Sequence, residues 1–114
     1  IDCSSKVFVM STSCLLWETR MNSRKGFATA LRELRTSKGL TQEDFSDVSS
    51  RTYLSSLERS MKSPTLEKVE ELSGVMEVHP ATLLLLAYCR AEDVKFKELI
   101  LRVAGELRAM NIKT

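Results

Sequence analysis

Between Phe27 and Met110 a helical hydrophobic period is interrupted again and again by cap and stop signals, and this cuts the chain into six short segments. Phe27, Leu31 and Leu34 fall on one helical face with Arg32 and Arg35 beside them, and Gly39 supplies the stop. Thr41-Gln42-Glu43-Asp44 has the form of a capping box, with Asp in place of the usual Glu, and opens a second, short helix with Phe45 inward. Ser49 and Ser50 both offer cap hydroxyls to a third helix, whose Leu54 and Leu57 face the core. Ser63-Pro64-Thr65 caps a fourth, with Leu66, Val69 and Leu72 in its stripe. Val78-His79-Pro80 starts a fifth, Pro being favoured at the first helical position and His79 standing at the cap. A sixth spans Glu92 to Met110, with Phe96, Val103 and Met110 seven apart, as are Ile100 and Leu107. Glu98 and Arg102 form an i, i+4 pair on its polar side, and Gly105 is its weak point.

Such a series predicts an all-α fold: a five-helix bundle with an extra C-terminal helix. Only four Gly and two Pro interrupt 114 residues, and no long β-branched alternation follows the first ten. At this length the chain builds one core and not two. Residues 1–20 carry no helical stripe and read as an N-terminal arm or a non-native extension ahead of Met21. Residues 21–90 form the bundle and residues 91–114 the added helix.

Several classes of function are disfavoured. Cys3, Cys14 and Cys89 are an odd set without Cys-x-x-Cys spacing, so neither a disulfide framework nor a zinc site is expected. Val7-Phe8-Val9-Met10 is too short for a signal segment, no stretch approaches a membrane span, and a cytoplasmic location is expected. The lone His79 reads as a cap, with no nucleophile or carboxylate pair in catalytic spacing beside it, so no enzyme, metal, cofactor or small-molecule ligand is expected. The net charge of +2 hides a segregation. Residues 21–64 carry eight Lys/Arg against five Asp/Glu, residues 65–93 two against six, and residues 94–114 five against two. A basic half beside an acidic stretch suits one face on a polyanion.

Leu34-Arg35-Thr36-Ser37-Lys38-Gly39-Leu40-Thr41-Gln42-Glu43-Asp44-Phe45, then Arg51-Thr52-Tyr53-Leu54-Ser55-Ser56-Leu57-Glu58-Arg59, then Ser63-Pro64-Thr65-Leu66 resembles the lambda-repressor/Cro family of helix-turn-helix regulators over about residues 27–87. The resemblance implies a compact bundle that sets its third helix in the major groove of double-stranded DNA. It also implies that Gln42 touches the DNA backbone. Arg35 and Glu58 stand where the family pairs an arginine of helix one with a glutamate of helix three, so they are assigned to structure. The passage Phe45 to Ser50 is two residues shorter than usual and lacks Gly. Helix two therefore ends early or its turn is tighter, Ser46 fills the place of the small residue at the helix contact, and either Ser49 or Ser50 caps helix three.

Groove reading requires polar residues opposite the core face of that helix's first turns. With Leu54 and Leu57 inward, the outward set is Ser50, Arg51, Thr52, Ser55 and Ser56. Arg51 is the side chain able to grip guanine O6 and N7 with two bonds. Arg59 and Lys62 suit phosphates on the far side of the groove. The rival reading is a helical protein-interaction module, such as the antitoxin of a toxin–antitoxin pair, which would favour an apolar cluster around Tyr53. Tyr53 stands alone, so DNA leads. The seven-residue repeat of Phe96, Ile100, Val103, Leu107 and Met110 predicts a homodimer surface, in keeping with two-fold operators.

Overall fold

The computed structural model describes residues 22–114; the readings made for residues 1–20 lie outside them. Five α-helices and one 3-10 turn make up the described chain, without strands. Helix α1 spans Ser23–Ser37, the 3-10 turn Gln42–Phe45, α2 Arg51–Glu58, α3 Leu66–Met76, α4 Pro80–Glu92 and α5 Phe96–Ala109. None of the described helices is by itself long and apolar enough to cross a membrane.

Local chemistry sets most of these boundaries. Asn22 caps α1 by accepting from the Lys25 amide at 3.1 Å, and Gly39 leaves the helix at φ 71°, a conformation that costs a residue with a Cβ. Thr65 Oγ1 accepts from the Lys68 amide at 3.1 Å, and His79 Nδ1 from the Ala81 amide at 3.0 Å, with Pro80 first in α4. Each cap satisfies a helix-end N–H that has no partner within the helix.

Phe27, Leu31, Phe45, Leu54, Leu57, Leu72, Met76 and Leu83 fill one core. Helices α1 and α4 make its widest contact, and Gly26 lies where they come closest. A Cβ there would stand 2.6 Å from Ala91 Cβ and 2.7 Å from the Ala91 nitrogen, so the crossing exists because the side chain is a hydrogen. On the rim of the same contact Arg90 grips Glu33 with two bonds, at 2.7 and 3.1 Å.

Five expectations need correction. The second helix is a single 3-10 turn, because only the five residues Ser46 to Ser50 lie between Phe45 and the start of α2 at Arg51, and Phe45 must reach the core. Ser46 is exposed and closes the 3-10 turn, its amide bonded to the Glu43 carbonyl at 3.0 Å; Ser49 is the buried serine of the turn, donating to the Ser50 carbonyl at 3.2 Å. Leu66 does not join the core stripe: it opens α3 at 71% exposure. The sixth segment starts at Phe96 rather than Glu92, since Asp93 closes α4 in the left-handed region (φ 56°) and the Val94 amide returns to the Cys89 carbonyl at 3.1 Å. Arg102 pairs with Glu106 at 3.3 Å and approaches Glu92 at 4.0 Å, instead of pairing with Glu98, whose carboxylate turns back to the Lys95 amide.

Candidate nucleic-acid interface

Ser50 resolves which serine caps α2: its Oγ accepts from the Tyr53 amide at 3.1 Å while its backbone stays extended. The helix therefore starts with Arg51, and its first turn stands clear of the bundle because Leu54 and Leu57 are fully buried on the other side. Arg51 is 72% exposed, Thr52 is exposed and Ser55 half-buried. At 100° per residue Arg51, Thr52, Ser55 and Arg59 share one outward arc.

Ser56 does not belong to that arc. It is 7% exposed, and its hydroxyl donates to the Thr52 carbonyl at 3.0 Å within its own helix. The chain turns back at the end of α2, with the Met61 amide bonded to the Ser56 carbonyl at 2.9 Å. That return passes through Ser60 at φ 64°, a left-handed position held without glycine. Arg59 and Lys62 are exposed beyond it.

Beneath the outward face lies a buried ion pair. Glu58, 3% exposed, accepts from Arg35 Nε at 2.6 Å and from a terminal nitrogen of Arg35 at 3.1 Å. Arg35 also donates to the Leu40 carbonyl at 2.9 Å, tying α1 to the loop before the 3-10 turn. The Gln42 amide adds a third donor to Glu58 at 3.1 Å, and Arg32 donates to the Glu58 carbonyl at 2.7 Å. This network fixes the tilt of α2 against α1.

For Gln42 the expected environment changes. It opens a four-residue 3-10 turn, which sums few peptide dipoles, so an anion there would depend on the side chain. One hydrogen of that side chain is already committed to Glu58. Next to it Asp44 serves its own turn, accepting from the Thr41 amide at 2.7 Å and the Thr41 hydroxyl at 3.2 Å.

Two contacts had no signal in the sequence. Glu43 reaches across the turn to Arg51, Oε1 to a terminal guanidinium nitrogen at 3.8 Å. Tyr53 is no isolated aromatic: Lys62 Nζ lies 5.3 Å and Lys68 Nζ 5.6 Å from its ring centre. Lys68 also donates to the Val48 carbonyl at 2.5 Å and pairs with Glu71 at 2.8 Å, which pins α3 to the turn. Both contacts join residues of different elements, so local spacing could not reveal them.

A small bundle with a capped, outward-tipped second helix after a tight turn defines a helix-turn-helix domain. A helix-turn-helix family model matches residues 31–83, from the middle of α1 to the first turn of α4. This segment is a lambda-repressor/Cro-like helix-turn-helix, a DNA-binding regulatory domain of a family that is not typically enzymatic. The chain matched no curated protein and no solved structure.

Proposed function

We propose that the protein is a sequence-specific transcriptional repressor that acts in the cytoplasm as a homodimer, reading the major groove of double-stranded DNA with the first turns of α2. The observation that carries this reading is the exposure of Arg51 at the tip of a helix whose cap and core contacts leave it no other freedom. Arg51 reads a guanine, Thr52 and Ser55 line the approach, and Ser50 stands at the cap of the same turn. Gln42, Arg59 and Lys62 position phosphates on either side.

The dimer reading rests on α5, with residues 21–90 as the DNA-binding unit and 91–114 as the dimerisation unit. Among residues of α5 only Leu99 is buried within the chain. Phe96, Val103 and Met110 are exposed and share one face with the half-buried Ile100 and Leu107. A face of this kind left open by its own bundle suits a second copy, and a two-fold pair would present two α2 helices to half-sites about one DNA turn apart.

Selection of bound sequences from a random duplex pool, followed by a salt titration, tests the reading. The expected product is a two-fold motif containing guanine, with a log–log salt slope near −5 for about six phosphate contacts. Arg51→Ala should erase the guanine preference. A pool without any motif, or equal loss on specific and random DNA for Arg51→Ala, would sink it.

A further inference from the structure

The carboxylate of Glu43 stands among the groups assigned above to DNA. It is 77% exposed and faces Arg51 at 3.8 Å. Its position is built rather than incidental. Gln42, one residue before, is anchored to buried Glu58. Asp44, one residue after, is consumed by its own turn. Glu43 is thus the carboxylate of this turn left facing outward.

Stability does not account for it, because an exposed ion pair contributes about 0–1 kcal/mol and is screened by salt. For a surface that must approach phosphates, a fixed negative charge is a cost on every DNA sequence. That cost is offset only where the carboxylate meets a hydrogen-bond donor on a base edge. The major groove offers two, adenine N6 and cytosine N4. Adenine places its N7 acceptor beside the donor, against a carboxylate, whereas cytosine presents no acceptor of its own on that edge.

We propose that Glu43 is a specificity-determining residue: it accepts a hydrogen bond from cytosine N4 in the base pair next to the guanine read by Arg51, and penalises sites without that cytosine. The inference rests on the base-reading role of Arg51. In the free protein the two side chains hold one another at the tip of the interface, and on the correct site each exchanges its partner for a base.

Pool selection with the wild-type chain, Glu43→Gln and Arg51→Ala tests it. Both positions are exposed, so the variants should melt with the wild type. Wild-type protein should select cytosine beside the guanine. Glu43→Gln should keep the guanine but lose about five- to a hundredfold of the discrimination for cytosine, while binding random duplex more tightly at low salt. An unchanged motif and unchanged random-DNA affinity in Glu43→Gln, with the guanine still lost in Arg51→Ala, would overturn this proposal alone. No motif with the wild-type chain would overturn the parent reading with it.

Discussion

Removing the Arg35 side chain should threaten folding before it alters DNA recognition. In the folded chain the Glu58 carboxylate, 3% exposed, receives two bonds from Arg35 and one from Gln42. Arg35→Ala leaves it with Gln42 and with Arg32, whose guanidinium is 3.9 Å away and more than half exposed. It also strips the Leu40 carbonyl of its donor. Stranding one member of a buried pair typically costs about 3–5 kcal/mol, a large share of the roughly 5–15 kcal/mol that holds a domain folded. Glu58→Gln is milder: one oxygen still accepts from Arg35, and the loss should stay near the roughly 1.5–3 kcal/mol of a charged hydrogen bond. In Arg35→Met/Glu58→Leu no buried charge remains, so the double variant should be more stable than Arg35→Ala, although Gln42 and Leu40 lose partners. Urea denaturation of the three variants at one temperature gives the values. A loss below about 1 kcal/mol for Arg35→Ala, the range of an exposed pair, would refute the claim that this network holds α2 against α1.

Two helical glycines should respond with opposite signs. Gly26→Ala drives a methyl into Ala91 and the α4 backbone, and should cost about 1–3 kcal/mol of overpacking or more. Gly105→Ala meets nothing within 4 Å and should stabilise by up to about 1 kcal/mol; thermal melting of both variants checks the pair. Ser60→Gly removes a Cβ from the left-handed region (φ 64°) and should raise stability by about 1 kcal/mol, with a lower midpoint counting against it. Burial pushes the Cys89 thiol up, with Arg90 pulling it down and Glu92 pushing it up to smaller extents, so its thiolate is scarce at neutral pH. Native protein treated with iodoacetamide at pH 7–8 should leave the Cys89 peptide unlabelled by mass spectrometry, and urea-unfolded protein should label it. Lys62→Ala should weaken binding to all duplexes alike and make the salt slope shallower by about 1, whereas a change in the selected motif would contradict a phosphate role.

What the chain encodes locally was legible from one strand of text. Caps such as Thr65 and His79 act on amides two or three residues away, and the inward faces of Leu31, Leu54, Leu57 and Leu72 follow from helical period alone; the choice of Ser50 over Ser49 as the cap of α2 came only with the fold. Arg35 and Glu58 were paired by family resemblance, because 23 residues separate them and only folding brings their atoms to 2.6 Å. The outward face of α2 was read from period too, and it failed at Ser56, which is buried with its hydroxyl bonded to the Thr52 carbonyl of its own helix.

Sequence by itself determined the helical class and most of the helix caps, since these depend on contacts within a turn or two of chain, but it missed the 3-10 turn at Gln42–Phe45 and the start of the last helix at Phe96. Tertiary structure alone decided that Leu66 is bare, that Lys62 and Lys68 flank Tyr53, and that Glu43 confronts Arg51. The reason is physical: such contacts depend on the angles and distances at which whole elements pack, which spacing along the chain does not encode.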